Sequence, residues 1–303
     1  MNYLRRLPKF TYLAPTTVAE VCALLAEHQD RAAVMAGGTN LLPKMKRREK
    51  VPEYLISLAK VPGLNHVGYS DADGLRLGPM VTIHDIDTSP IVRQKFPALA
   101  QAAENLASAQ VRNSATVGGN LGNAAPCADT PPSLLALDAK LKLISASGQR
   151  TLTVDQFYVA PFQSAMRTDE MLVEIEVPNT AEGTTGVYMR HAFRGAMDYP
   201  LVGIAVVLTV HDRVCIDIKI TGSFCSHCWC REGCKNPCPT PFRATRAEET
   251  LRGKVLDEAL IQEAALLAAR DARPIVDRLY TKEMITVYTR RALTRAWKEG
   301  KQN

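Results

Sequence analysis

A chain of 303 residues, 46% of them hydrophobic and with a formal net charge of +6, is long enough for two domains, each with its own core. The modest charge, with no dense basic run among aromatics, excludes a nucleic-acid surface as the main feature. The longest apolar run, 201–210, is too short to span a bilayer. No apolar stretch follows the arginines near the start, so no secretory leader is expected and the cytoplasm is the expected compartment.

In chain order, Thr17 and Glu20 read as a capping box, with Val18, Val21, Cys22 and Leu25 following at helical spacing. A strand is expected over 32–35 and runs into the glycine turn Ala36-Gly37-Gly38-Thr39-Asn40. The cationic run 44–50 reads as a solvated helix face or loop, with phosphate or partner contact as the alternative. Short strands are expected over 53–59, 63–67 and 75–77, then helices over 82–87 and 98–109. The stretch 114–129 reads SATVGGNLGNAAPCAD, three glycines and two asparagines among small side chains, ending on Asp129. Pro131 and Pro132 suit the first turn of a helix over 133–137. Strands over 141–144 and 171–177 follow, closed by Pro178.

The polar connector 179–185 marks a domain boundary, dividing the chain into 1–178 and 179–303. Beyond it, strands over 187–193, 202–210 and 214–221 form a three-stranded antiparallel meander. Three helices come next: 246–252 with Thr245 and Glu248 as capping box, one beginning after Asp257, and one over 279–297. Short strands and helices in mixed order predict an α+β arrangement.

Adjacent glycines let a ligand approach backbone amides, and successive N–H groups in such a turn suit a phosphate. Two such turns, about 80 residues apart, suggest two lips gripping one extended, doubly charged group. Neither has the GxGxxG spacing of a Rossmann site. Six scattered histidines form no metal pair and no Ser/His/Asp constellation.

These stretches make the chain recognisable. AGGTNLLPKMK (36–46), TVGGNLGNAAPCADTPPSLLALDAKL (116–141), DEMLVEIEVP (169–178) and the segment 188–204 resemble the FAD-binding medium subunit of the xanthine dehydrogenase and carbon monoxide dehydrogenase family of molybdenum hydroxylases. The resemblance implies a two-part FAD-binding domain of the vanillyl-alcohol-oxidase-like type, followed by the family's C-terminal domain. It implies that Ala36, Gly37, Gly38, Thr39, Asn40, Thr116, Gly118, Gly119 and Asn120 line the pyrophosphate of a non-covalently held FAD. Asp129 matches an acidic residue near the adenosine half, and Leu172 matches a contact from the strand before Pro178. Arg190 stands where the family usually has a lysine near the flavin; Arg190 or Arg194 would supply a cation beside the ring. The resemblance also implies a molybdopterin-bearing large subunit, a [2Fe–2S]-bearing small subunit, and an external electron carrier such as ferredoxin or NAD.

The segment 224–240 departs from that family. It reads FCSHCWCREGCKNPCPT, with Cys225, Cys228, Cys230, Cys234 and Cys238 within 14 residues. Gly233, Pro237 and Pro239 prevent a continuous helix, so the loop needs something to fold around. Four thiolates from such a knot suit a [4Fe–4S] cluster, and a Cys-x3-Cys-Pro ending occurs in bacterial ferredoxin runs. Zinc is the alternative metal, and disulfides or free thiols remain open. The expected function is an electron-transfer flavoprotein subunit. Its rivals are a stand-alone FAD oxidoreductase and a zinc-bearing scaffold with no cofactor chemistry.

Overall fold

The computed structural model describes residues 6–195, 197–225, 241–272 and 279–300; the structural statements below concern these. The N-terminal part opens with β1 (Thr11–Leu13), α1 (Val18–His28), β2 (Ala32–Met35), α2 (Leu41–Lys46) and β3 (Tyr54–Ser57). The three strands form a parallel sheet in the order β1-β3-β2. Only half of the expected box caps α1. The Thr17 hydroxyl accepts from the Glu20 amide at 3.1 Å, but the Glu20 carboxylate turns to the Thr16 amide and hydroxyl instead.

A second sheet is antiparallel, in the order β4-β5-β10-β6-β7. It begins with β4 (Val67–Ser70) and β5 (Gly74–Leu77), so the strand expected over 63–67 lies a few residues later. A helical run then crosses over: α3 (Ile83–Thr88), α4 (Pro90–Lys95), α5 (Pro97–Asn105), α6 (Ala109–Arg112), α7 (Val117–Gly122) and α8 (Thr130–Ala136). The single helix expected over 98–109 is two, because Leu106 turns extended and Ala107 takes a positive φ of 47°. The sheet is completed by β6 (Lys140–Ser145), β7 (Gly148–Thr153) and β10 (Met171–Val177), with the short α9 (Val154–Phe157) and a separate hairpin of β8 (Tyr158–Ala160) and β9 (Gln163–Ser164) between β7 and β10.

The C-terminal part holds β11 (Thr184–His191), β12 (Val202–His211), β13 (Val214–Phe224) and β14 (Phe242–Arg243), then α10 (Thr245–Leu251), α11 (Glu258–Asp271) and α12 (Leu279–Gly300). The expected three-stranded meander is therefore a four-stranded sheet, since Phe242 and Arg243 pair with Gly222 and Thr221. The near-continuous apolar run of β12 reflects burial on both faces. Tyr188, Ala205 and Val207 point into the core shared with α5 and α8. Their strand neighbours Val187, Val206 and Leu208 point into the core under α10 to α12.

The capping box expected at Thr245 and Glu248 does not form, as Ala244 occupies the cap position without a side-chain bond. The Glu248 carboxylate is buried and accepts instead from the Ile220 amide at 2.9 Å and from the Arg243 guanidinium. It ties α10 to the sheet rather than to its own helix end. No helix among the described residues is long and apolar enough to cross a membrane.

Candidate cofactor site

Both glycine turns lie at strand-to-helix or helix-to-helix junctions, and the fold brings them into contact. The first joins β2 to α2, with Gly38 at a φ of +70°. A Cβ on Gly37 would stand 1.7 Å from the Ser114 carbonyl oxygen and 3.2 Å from the Ala115 Cα. The first turn therefore packs, backbone on backbone, against the residues leading into the second. A Cβ on Gly119 would lie 3.8 Å from the Ala36 Cβ. The space between the turns is bounded by Ala36 on one side and Gly119 on the other.

The second turn is helical. Thr116 caps α7, its hydroxyl accepting from the Gly119 amide at 3.1 Å, and Gly118, Gly119 and Asn120 all sit inside the helix. Its amides are committed to the fold: Val117 donates to Val81, Gly118 to Pro79 and Asn120 to Thr116. The first turn differs. Among the described residues, no acceptor faces the amides of Gly37, Gly38, Thr39 and Asn40. Backbone donors left without partners at a half-buried turn need an acceptor from a ligand or water. This donor set fits a diphosphate, with the first turn offering amides and the second offering closeness and the Asn120 side chain.

Asn120 also anchors the next piece. Its side-chain oxygen accepts from the Thr130 hydroxyl at 2.7 Å, binding α7 to the start of α8. Asp129 stands at that start with 5% exposure. Its Oδ1 accepts from the Tyr188 hydroxyl at 2.8 Å and lies 3.6 Å from the Arg190 guanidinium. Burial pushes its carboxyl up to about 6, against the opposing pull of Arg190 and the Tyr188 hydrogen bond. Nothing among the described residues donates to Oδ2.

The other expected residues are distributed as follows. Leu172 is buried in β10, opposite Leu143 and next to a register shift, and belongs to the main core. Arg190 spends its guanidinium on Asp129 and on the carbonyls of Asn105 and Asp198. It thereby fastens the loop after β11, whose Phe193, Met197 and Tyr199 are exposed, to the end of α5. Arg194 is exposed and pairs with Asp198 at 3.3 Å. Cys225 directly follows β13, is buried, and donates its amide to Leu201. Cys228, Cys230, Cys234 and Cys238 lie outside the described residues. No group of three or more metal-ligating side chains occurs among the described ones.

Sequence reasoning missed Tyr188, which reads as an ordinary core aromatic in a strand. The available signal was its spacing: two residues before Arg190, it must share that residue's face of the strand.

The family model described as the FAD binding domain in molybdopterin dehydrogenase matches residues 8–180. The chain belongs to that family. A second model, the CO dehydrogenase flavoprotein C-terminal domain, matches residues 230–299. The carbon monoxide dehydrogenase medium chain of Hydrogenophaga pseudoflava is 33% identical over 96% of this chain and 98% of its own. The glyceraldehyde dehydrogenase medium chain of Sulfolobus acidocaldarius is 31% identical over 94% and 97%. A solved carbon monoxide dehydrogenase of Hydrogenophaga pseudoflava, lacking the Mo-pyranopterin moiety, superposes with a TM-score of 0.88 over 97% of this chain and 99% of that one, at 33% identity. Members of this family are FAD-binding oxidoreductase subunits, so a cofactor-free scaffold does not describe this chain.

Proposed function

We propose that the chain is the electron-transfer flavoprotein subunit of a molybdenum hydroxylase complex. It exchanges electrons between a partner's iron–sulfur centres and an external carrier such as ferredoxin or NAD. The observation that carries this reading is the set of acceptor-free amides at Gly37–Asn40, pressed against the junction before Gly118 and Gly119. FAD supplies the chemistry when bound, taking electrons in pairs and releasing them singly. The chain's own residues bind and orient it: Ala36, Gly37, Gly38, Thr39 and Asn40 with Thr116, Gly118, Gly119 and Asn120 at the diphosphate, Asp129 at the adenosine half. Leu172 and Arg190 close the site from β10 and β11. The names of the relatives, medium chains among them, support a molybdopterin-bearing large subunit and a [2Fe–2S]-bearing small one as partners. Native mass measurement of the purified assembly tests this, and a monomer that oxidises an organic substrate unaided would overturn it. The divide at 178/179 follows the same reading, with FAD binding assigned to 1–178.

Gly119→Val is the direct test of the loop. A Cβ there meets the Thr116 hydroxyl at 3.0 Å and the Ala36 Cβ at 3.8 Å, with no backbone outside its own helix within 4 Å, so a branched side chain fills the gap between the turns. Flavin content should fall more than ~10-fold with the circular dichroism spectrum unchanged, since valine is no poorer a helix former than the glycine it replaces. Full flavin occupancy would remove the loop from the site.

The same proposal extends to the cysteine-rich segment 224–240, where four of Cys225, Cys228, Cys230, Cys234 and Cys238 would ligate a [4Fe–4S] cluster. Its support is compositional. Apart from Phe224 and Trp229 the segment has no large apolar side chains, so ordering it costs about 1–2 kcal/mol per residue with little burial in return. Metal ligation supplies that energy in small metal-folded segments. Cys234→Ser should remove about four irons per chain and leave FAD in place. Stoichiometric zinc, or iron accounted for by [2Fe–2S] centres alone, would refute the cluster.

A further inference from the structure

Tyr188 is buried in β11, at 2% exposure, and its hydroxyl reaches across the sheet to a carboxylate 59 residues earlier in the chain. That reach depends on a neighbour. Tyr188 pairs with Ala205, and two residues along, Gly203 faces Arg190. A Cβ on Gly203 would stand 2.4 Å from the Tyr188 hydroxyl oxygen and 3.2 Å from its ring. The phenol therefore lies over a position of β12 where a side chain would displace it. The main chain of Tyr188 is held as well, its amide donating to the Gln101 side chain of α5 at 2.8 Å.

Asp129 is thus gripped asymmetrically. Oδ1 takes both the phenol hydrogen bond and the nearer approach of Arg190, while Oδ2 accepts nothing among the described residues. A carboxylate anchored through one oxygen presents the other in a fixed direction, as an acceptor for a hydroxyl donor. We infer that Tyr188, seated over Gly203, is a positioning residue that with Arg190 orients Asp129 and keeps it in its acceptor form for a hydroxyl of the bound cofactor. This rests on the reading of Asp129 as an FAD-contacting residue.

The charged and titratable groups around Asp129 are few. Tyr188 and Arg190 face it from β11, and Cys127, in its own segment, interacts with the phenols of Tyr188 and Tyr199. From β13 the Ser223 hydroxyl bonds the Ala128 carbonyl and the Thr221 hydroxyl the Pro132 carbonyl. His191, next to Arg190 in sequence, turns to the other side of the sheet and meets Tyr280 and Tyr288 of α12. Asp129 is therefore the group whose protonation governs the acceptor at this point.

The test is the FAD dissociation constant of the full-length chain, stripped of flavin and titrated with FAD from about pH 5 to pH 8.5. An acceptor carboxyl near 6 predicts ~10-fold weaker binding at pH 5 than at pH 7 in the unaltered protein. Tyr188→Phe removes a hydrogen bond that favours the charged form, so the midpoint should move up. Affinity should then be lost at neutral pH and recovered near pH 8.5. Gly203→Ala should reproduce that shift by pushing the phenol away, and Arg190→Lys, which keeps the charge, should largely preserve the original midpoint. Loss of affinity by the same factor at every pH in Tyr188→Phe and Gly203→Ala, or no loss at all, would overturn the positioning role. Failure of the unaltered chain to bind FAD at any pH would overturn the underlying flavin assignment instead.

Discussion

Gly37→Ala is expected to strip the protein of flavin and to lower its stability together. The reason is steric and confined to backbone: the added methyl would stand 1.7 Å from the Ser114 carbonyl oxygen and 2.7 Å from its carbon. No side-chain rotation relieves such a contact, so the turn must retreat from the 114–115 segment by more than an ångström. Overpacking of this kind costs typically about 1–3 kcal/mol. The retreat also widens the gap between the acceptor-free amides at Gly37–Asn40 and the helix at Gly119. Flavin occupancy should fall by more than ~10-fold, since a one-ångström misplacement of a multidentate donor set is worth that much. Differential scanning calorimetry and the flavin absorbance of the same preparation check both halves. Gly119→Val supplies the contrast, because its Cβ meets side chains (the Thr116 hydroxyl and the Ala36 methyl) rather than a carbonyl of another segment, and it should lose flavin with little change in stability.

Asp129→Asn is expected to make the flavin-free protein more stable at neutral pH while weakening its hold on FAD. Burial raises the folded-state carboxyl to about 6, above the ordinary value near 4. For an acid raised in this way, the stabilising contribution is fully present below the unfolded value and is lost as pH rises through the folded one. Between about pH 4 and pH 6 the folded protein holds a proton that the unfolded chain has released. Above that range it carries a buried charge that Arg190 and Tyr188 offset only in part. The difference amounts to roughly 2–3 kcal/mol at pH 7.5. An amide neither titrates nor carries that charge, and it can still accept the Tyr188 hydrogen bond. Melting temperatures of the flavin-free proteins should therefore nearly coincide at pH 4 and separate by roughly 5 °C or more at pH 7.5, with the asparagine form higher. A gap that is equal at both pH values would mean that the carboxyl does not titrate as described. A buried residue that lowers stability at the working pH is the pattern expected where binding, rather than folding, has chosen it.

Much of this was legible in the sequence, and the parts that were not have physical causes. The apolar run of β12 and the alternation of β10 show their strands plainly, because burial on two faces or one leaves a periodic record. The second glycine turn does not declare its helix. Gly118, Gly119 and Gly122 lower helix propensity by about 1 kcal/mol each, yet α7 forms because Thr116 caps it and Val117 and Leu121 are buried. The strand β1 was missed because its residues are largely exposed and only parallel pairing with β3 fixes it. Glu248 sits at capping-box spacing but bonds the Ile220 amide, a contact made by tertiary packing that local pattern cannot record. The candidate site shows the same division. Glycines, Thr116, Asn120 and Asp129 mark it in sequence, whereas the grip of Tyr188 on Asp129 spans 59 residues and depends on Gly203 lacking a side chain.

One FAD per chain is expected, held non-covalently between the turns at Gly37 and Gly119. Flavin analysis of the purified full-length chain tests it most directly, by acid precipitation followed by absorbance of the supernatant against protein concentration. About one FAD per chain is expected, all of it released into the supernatant, in a preparation that is yellow before precipitation. Protein that carries no flavin and takes up none when FAD is added, or flavin that stays with the precipitate, would contradict it.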